Sequence, residues 1–302
     1  MPRVYRTYLV GMVTAVLMVL NTLIFAISGY GATLLKVTLP FAKGQALSGK
    51  IADLTIKGWL WVMLRILKSR QAACIDLAAL QDLRRDESYL VVANHRSWAD
   101  VMVMLPLFQD RLPLPKAFAK RELFWFPIIG TAFWTLDFPF VKRYSRRYLQ
   151  RHPEKRGHDL EITRKACERY RHRYISILIF PEGGRFTEAR YLAQASPHRH
   201  LLRPKAGGLA TALYAMGGKI TTMLDITIVY PQNRVTFWDY LCDNLAPVTV
   251  LVRKCPVPRE FWEMEYAVDP EFKGKFQGWI NTVWMEKDEL IEQVLKGGGN
   301  GI

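Results

Sequence analysis

Apolar side chains dominate the N-terminal part of the chain in two stretches of helical length. Residues 8–28 carry no charged side chain, and a helix of this length, rising about 1.5 Å per residue, matches the roughly 30 Å hydrocarbon core of a bilayer. Residues 54–67 are apolar and aromatic but include Lys57 and Arg65. Because tryptophans beside basic residues favour the membrane interface, this second stretch is either an interfacial helix or an ordinary core helix.

The first stretch has two interpretations, an uncleaved membrane anchor and a signal peptide. Arg3 and Arg6 precede it, and residues 26–28 (AIS) would be an acceptable cleavage site. The apolar core of a signal peptide is typically about 7–15 residues long, shorter than this stretch, so we expect the anchor. Lysines also follow the stretch, so both flanks are positive, and a single crossing and a hairpin within one leaflet both stay open.

Beyond residue 85 short β-rich runs alternate with amphipathic stretches. Strands are predicted at residues 89–94, 135–141, 174–180 and 223–230. Helices are predicted at residues 98–108, 121–133, 155–173 and 205–217, with a last one at 272–296. This alternation predicts an α/β fold with a mixed sheet flanked by helices. We therefore divide the chain into an N-terminal membrane-embedded segment of anchor and interfacial helices, residues 1–70, and one α/β domain with a C-terminal helix, residues 71–302.

The composition excludes some classes of protein and favours others. Half of the 302 residues are hydrophobic and 23% are charged, which excludes global disorder. A net charge of +15 indicates a partner that carries phosphate, whether nucleic acid, anionic lipid or a phosphorylated substrate. The four cysteines form no C-x-x-C pair, which argues against a cysteine-rich zinc module and fits a reducing compartment.

The first candidate for chemistry is the segment 94–100, NHRSWAD, which follows a predicted strand. On one continuous helix His95 and Asp100 would point about 140° apart, so they meet only if His95 lies in the turn and Asp100 in the first helical turn. With Ser97 as N-cap, Asp100 comes three residues later, where a carboxylate folds back toward the turn. The pair is then either a general base oriented by a carboxylate, or a turn histidine beside a capping carboxylate.

The second candidate is the segment 180–186, FPEGGRF, directly after a predicted apolar strand. Two glycines allow a tight turn, and an acid and an arginine flank them, so this turn suits a phosphate or a polar headgroup. The alternative is an ordinary glycine turn with a Glu–Arg pair on the surface.

The third candidate is the basic run at 142–156, which is either a solvated face or a phosphate-binding surface. Arg143 is its best-placed member because it follows a predicted strand.

Other catalytic motifs are absent or incomplete. No G-x-S-x-G is present, and residues 44–51 resemble a P-loop but have Ile51 where a Ser or Thr is needed. His198 and His200 have no further ligand at a suitable spacing, so we expect no metal.

In this order, segments 94–100 and 180–186 and the basic strand end between them resemble the 1-acylglycerol-3-phosphate O-acyltransferase family of glycerolipid acyltransferases. The resemblance covers about residues 85–231. Residues 202–205 (LRPK) and 225–227 (DIT) and the C-terminal segment look closest to the branch that contains lysocardiolipin acyltransferases. Two positions depart from the usual pattern, Gly184 in place of Thr and Lys142 in place of Asp, and they put the acceptor headgroup in doubt.

The resemblance implies a site and a role for each matching residue. The catalytic pair would be His95 and Asp100. The family's second motif block, matched here by Lys120 and Arg143, is implicated in holding the substrate phosphate. Its third block, matched by Glu182, Gly183 and Arg185, shapes the acceptor site. The matching substrate-binding residues are Lys120, Arg143, Glu182, Gly183 and Arg185.

The implied reaction is the transfer of an acyl chain from acyl-CoA or acyl carrier protein to the sn-2 hydroxyl of a lysophospholipid, with no metal or cofactor. Membrane lipids would be partners, and nucleic acid would not. We expect the protein on a bacterial inner membrane with its catalytic domain on the cytoplasmic side.

The acceptor stays open between 1-acylglycerol-3-phosphate, which gives phosphatidic acid, and another lysophospholipid such as lysophosphatidylglycerol or lysocardiolipin. A non-catalytic lipid-binding scaffold and, further behind, a membrane-tethered nucleic-acid binder are the rival classes.

Overall fold

The computed structural model describes most of the chain. The described residues are 3–39, 41–68, 74–75, 80–109, 112–113, 115–125, 130–131, 133–134, 138–141, 151–152, 158–266 and 269–297. The chain divides into two compact units. The first comprises residues 1–70, 116–166 and 241–243, and the second comprises residues 71–115, 167–240 and 244–302.

Helices and strands alternate through the described residues. The helices are α1 (Arg3–Thr38), α2 (Ala42–Ile66), α3 (Ala99–Gln109), α4 (His158–Tyr170), α5 (Glu188–Gln194), α6 (Gly207–Met216), α7 (Phe237–Leu241), α8 (Glu260–Glu263) and α9 (Pro270–Gly297). The strands are β1 (Cys74–Ile75), β2 (Tyr89–Ala93), β3 (Pro115–Ala117), β4 (Ala119–Lys120), β5 (Phe140–Val141), β6 (Ser176–Ile179), β7 (Thr222–Val229) and β8 (Thr249–Pro256).

In the first unit, α1 and α2 pack antiparallel as a helical hairpin. Asn21 Nδ2 donates to the Trp59 carbonyl oxygen at 3.1 Å, and Ser48 Oγ donates to that of Ala32 at 2.8 Å. Gly58 allows close packing, because a Cβ there would overlap the ring of Phe25. Among the described residues, α1 is the one helix long and apolar enough to cross a membrane. The second apolar stretch of the sequence is thus part of a longer helix, paired with the first.

Short elements occur in the described part of residues 116–141 of the first unit. Strands β4 and β5 pair in parallel, with Lys120 opposite Val141. The predicted helix at 121–133 begins as a 3-10 helix, Arg121–Trp125, and residues 126–129 lie outside the described part. Of the predicted strand at 135–141, β5 forms the end, and residues 135–137 lie outside the described part.

A mixed sheet forms the core of the second unit, with the strand order β1-β8-β7-β2-β6. Strand β2 pairs in parallel with β6 and with β7, whereas β7 and β8 pair antiparallel. Every residue of β2 is buried, as a strand between two neighbours requires when helices cover the sheet. The α/β fold with a mixed sheet and helices that the sequence predicts is confirmed.

The parallel strands place three chain segments at one edge of the sheet. Strands β2 and β6 end within one residue of each other, since Val92 lies opposite Ile179, and β7 runs three residues past the end of β2, since Ala93 lies opposite Ile226. Ligand-contacting groups collect at the carboxyl ends of parallel strands. The segments that follow these ends begin at residues 94, 180 and 230.

Candidate active site

The turn after β2 is anchored by the side chain of Asn94. Its Nδ2 donates to the Ile228 carbonyl oxygen at 2.9 Å, and its Oδ1 accepts from the Ile228 N–H at 2.8 Å. The amide thereby continues the pairing of β2 with β7 for one more residue. Because Asn94 is buried, these bonds satisfy polar atoms that water does not reach and fix where the next residue, His95, leaves the sheet.

His95 and Asp100 meet at this edge. His95 Nδ1 lies 2.8 Å from Asp100 Oδ2. The backbone N–H groups of Arg96 and Ser97 donate to the same oxygen at 2.7 and 3.0 Å. Asp100 is therefore both the carboxylate that folds back over the first turn of α3 and the partner of the imidazole. The capping role and the pairing with His95, which the sequence offered as alternatives for Asp100, therefore occur together.

Tyr230 completes the environment of the carboxylate. Its hydroxyl donates to Asp100 Oδ1 at 2.7 Å, and burial together with the neighbouring Asp100 raises the pKa of Tyr230 well above its usual value. The hydroxyl therefore stays protonated and remains a donor. Tyr230 was not among the predicted site residues, although its position at the end of a predicted strand was a usable signal.

The segment 180–186 packs directly on His95. The ring of Phe180 stacks on the imidazole with centroids 4.2 Å apart, and the Phe186 N–H donates to the His95 carbonyl oxygen at 2.7 Å. Gly183 has a φ of 71°, in the left-handed region that favours glycine, and its N–H donates to the Phe180 carbonyl oxygen at 3.0 Å. The tight glycine turn that the sequence predicts is thus present beside the histidine.

Glu182 is a buried residue of this turn. The backbone of His95 donates a hydrogen bond to its carboxylate, while its Oε2 has no hydrogen-bond partner among the described residues. Burial raises the pKa of Glu182 to about 8, against the opposing effects of that bond and of Lys287. A surface Glu–Arg pair, the alternative for this segment, is not what forms.

Two arginines contact aromatic rings between segments 94–100 and 180–186. The Arg185 guanidinium lies 5.1 Å from the ring centroid of the exposed Trp98, and that of Arg96 lies 5.1 Å from the ring centroid of Phe186. Arg96 also donates to the Asn233 carbonyl oxygen at 3.0 Å, and burial lowers its pKa. Arg185 is exposed, so its guanidinium is accessible to an anion beside His95.

The second unit brings together five of the predicted site residues, His95, Asp100, Glu182, Gly183 and Arg185. Lys120 lies in β4 of the first unit, and Arg143 lies outside the described residues, so both stay predictions. Within the described part of the chain, no three His, Cys, Asp or Glu side chains converge as metal ligands. That the reaction needs no metal also stays a prediction.

Known proteins share this chain's sequence pattern. A family model described as Acyltransferase matches residues 74–230. Lysocardiolipin acyltransferase 1 of Gallus gallus is 23% identical over 263 residues, which are 82% of this chain and 64% of that protein. The 1-acyl-sn-glycerol-3-phosphate acyltransferase gamma of Mus musculus is 24% identical over 223 residues, 70% of this chain and 54% of that protein. An uncharacterized acyltransferase of Schizosaccharomyces pombe is 22% identical over 70% of this chain and 61% of its own length.

The chain therefore spans between 54% and 64% of the length of these relatives. Among solved structures, the 1-acyl-sn-glycerophosphate acyltransferase PlsC of Thermotoga maritima is similar with a TM-score of 0.44 and 16% identity, over 89% of this chain and 97% of that one. The matched region, residues 74–230, is about half of the chain and contains His95, Asp100 and the turn at 181–184. On this match, the chain belongs to the acyltransferase family.

Proposed function

We propose that the protein transfers a fatty acyl chain from acyl-CoA, or from acyl carrier protein, to the sn-2 hydroxyl of 1-acylglycerol-3-phosphate and so forms phosphatidic acid. The observation that carries this proposal is the 2.8 Å contact between His95 Nδ1 and Asp100 Oδ2, beside an exposed arginine. A histidine fixed in this way presents its other ring nitrogen as a base.

In the proposed mechanism Asp100 selects the tautomer of His95. The N–H at Nδ1 of His95 donates a hydrogen bond to the carboxylate of Asp100. Nε2 then accepts the proton of the acceptor hydroxyl as the hydroxyl oxygen attacks the thioester carbonyl. The new C–O bond forms, the C–S bond breaks, and the proton passes from Nε2 to the leaving thiolate. Tyr230 and the backbone N–H groups of Arg96 and Ser97 hold the carboxylate in place throughout.

Arg185 supports an acceptor with a phosphate headgroup. A guanidinium offers paired N–H donors that match phosphate oxygens, and the ring of Trp98 supports one of its faces. The mouse relative is named for 1-acyl-sn-glycerol-3-phosphate. The second candidate acceptor is lysocardiolipin or lysophosphatidylglycerol, and it is favoured by the similarity to a lysocardiolipin acyltransferase over 82% of this chain.

We further propose that α1 and α2 hold the protein on a membrane. Many apolar side chains of α1 are exposed, including Ile24 and Ile27, and lipid would cover them at lower free energy than water. The net charge of +15 suits an anionic leaflet, which supports the cytoplasmic face of a bacterial inner membrane.

The test supplies membranes carrying the full chain with oleoyl-CoA and separate lysophospholipids. Free thiol and diacyl product are followed together, and membranes without the chain are the control. The proposal predicts equal amounts of thiol and phosphatidic acid from 1-acylglycerol-3-phosphate. Transfer confined to lysocardiolipin or lysophosphatidylglycerol would favour the second candidate. If no acceptor is acylated, with acyl carrier protein also tried as the donor, the proposal that the protein is an acyltransferase would be overturned and a lipid-binding scaffold favoured.

A further inference from the structure

The side chain of Arg190 occupies the space beside Gly184. A Cβ added to Gly184 would lie 2.9 Å from the guanidinium carbon of Arg190 and would overlap its Nη1. Gly184 is not in the left-handed region, unlike its neighbour Gly183. Backbone conformation therefore does not demand a glycine at this position. The absence of a side chain at residue 184 is what makes room for the guanidinium.

A second cation lies against the other glycine of the same turn. Lys205 Nζ lies 3.0 Å from where a Cβ on Gly183 would be, and the Lys205 N–H donates to the Pro181 carbonyl oxygen at 2.9 Å. The Pro181–Gly184 turn thus has a positive side chain at each glycine, in addition to the exposed Arg185 that follows.

The structural contacts of Arg190 are few. Its helix, α5, has no buried residue, and Arg190 Nη1 donates one long hydrogen bond of 3.5 Å to the Arg185 carbonyl oxygen. Within the described part of the chain no carboxylate forms an ion pair with Arg185 or Arg190. Core packing and charge neutralisation therefore do not explain why a guanidinium is kept at the turn.

We infer that Arg190 is a specificity-determining residue that binds the headgroup of the acceptor and favours a phosphomonoester over a phosphodiester. The inference rests on the proposed function and deepens it. A phosphomonoester carries about 1.5 to 2 negative charges at pH 7, because its second pKa is near 6, and a diester carries one. A second guanidinium at the turn therefore stabilises the monoester more strongly, through charge-assisted and bidentate hydrogen bonds.

The test measures kcat/KM for the full chain and its variants with two acceptors. Lysophosphatidate (1-acylglycerol-3-phosphate) is the phosphomonoester, and lysophosphatidylglycerol is the phosphodiester. We expect Arg190→Ala to lower the value for lysophosphatidate about tenfold and that for lysophosphatidylglycerol by less than about threefold, mainly through KM. Arg190→Lys should restore part of the selectivity, because it returns the charge without the forked donors. Arg259→Ala is the matched control, since it removes an exposed arginine that pairs with Glu263.

Gly184→Ala gives a second and independent readout. Its Cβ should displace the guanidinium and reproduce the selectivity of Arg190→Ala. In the double variant the two effects should not add, because both act through one side chain.

Each outcome bears on the inference. Equal losses with both acceptors, an unchanged ratio after Arg190→Ala, or a full additional loss from Gly184→Ala in the Arg190→Ala background would overturn it and leave the proposed function standing. A wild-type chain that is inactive with every lysophospholipid would instead overturn the proposed function, and this inference with it.

Discussion

At the scale of single residues, two buried carboxylates of the site have opposite environments. Asp100 accepts hydrogen bonds from Tyr230 and from the backbone of Arg96 and Ser97, in addition to its contact with His95. Glu182 receives a backbone hydrogen bond from His95 but has a buried oxygen without a partner in the described residues. An ionised carboxylate is favoured by donors and disfavoured by desolvation, so the two groups are suited to different tasks.

Glu182 makes stability depend on pH in a defined direction. Its pKa of about 8 in the fold exceeds the ordinary value of 4.5, so the folded state binds this proton more tightly than the unfolded state. The contribution to stability is full below about pH 4.5 and is lost as the pH rises toward 8.

We predict that Glu182→Gln reduces this fall in the free energy of unfolding between about pH 5 and pH 8. Thermal unfolding of detergent-solubilised protein across this range measures the slope. Glu289→Gln, which changes an exposed carboxylate of α9, is the control and should keep the wild-type slope. A Glu182→Gln slope equal to that of the wild type would contradict the prediction.

The meeting of His95 with Asp100 could be predicted because spacing along one turn determines it. Ser97 and Asp100 stand in the order of a capping box, and this places the carboxylate over the turn. Tyr230 could not be placed in the same way, since its bond to Asp100 depends on the register of β2 with β7.

At the scale of elements, α9 is fastened to the sheet by a buried cation. Lys287 Nζ lies 2.6 Å from Asp225 Oδ1 and donates to the Ile226 carbonyl oxygen at 2.6 Å and to Thr227 Oγ1 at 3.1 Å. Arg253 of β8 pairs with the other oxygen of Asp225 at 2.9 Å. Burial lowers the pKa of Lys287, and the neighbouring Asp225 opposes that shift.

We predict that Lys287→Met destabilises the second unit by about 3–5 kcal/mol, because it leaves a buried carboxylate with one cation fewer and a carbonyl oxygen without this donor. Chemical denaturation in detergent measures the loss. Lys275→Met on the same helix, where the lysine is exposed and pairs with Glu271, should leave the unfolding midpoint almost unchanged. Equal midpoints for the two variants would contradict a role of Lys287 in fastening α9.

Element positions could be predicted where hydrophobic runs are long and continuous. Strands β2, β6 and β7 and helices α3, α6 and α9 lie within a few residues of their predicted positions. Strand β8 was not predicted, because Arg253 and Lys254 interrupt its apolar alternation, although Val250 and Val252 are buried. Its antiparallel pairing with β7 brings Arg253 to Asp225, and such a long-range contact has no local signal.

At the scale of the whole molecule, the chain combines an apolar helical hairpin with a net charge of +15. The hairpin of α1 and α2 has polar bonds between its helices, such as Trp59 Nε1 to Thr22 Oγ1 at 3.2 Å, and apolar side chains on its outer surface. The division into segments at residue 70 stays a prediction.

We predict that the full chain stays with the membrane pellet after washes with high salt and with alkaline carbonate, because burial of apolar side chains in lipid does not depend on charge. N-terminal sequencing of the pelleted protein should begin upstream of residue 28. Release by either wash would contradict membrane embedding. A mature N-terminus near residue 29 would instead support the signal peptide.

The role of His95 as the general base is tested most directly by comparing two histidines that each contact a carboxylate. His95 Nδ1 contacts Asp100 at 2.8 Å, and His200 Nε2 contacts Glu292 at 2.7 Å. The rate of diacyl product formation from oleoyl-CoA and lysophosphatidate is measured for the purified full chain and for His95→Ala and His200→Ala. We predict that His95→Ala lowers kcat by about 10²–10⁴-fold while the protein stays folded, and that His200→Ala keeps nearly the wild-type kcat. A folded His95→Ala protein with a rate close to that of the wild type would contradict it.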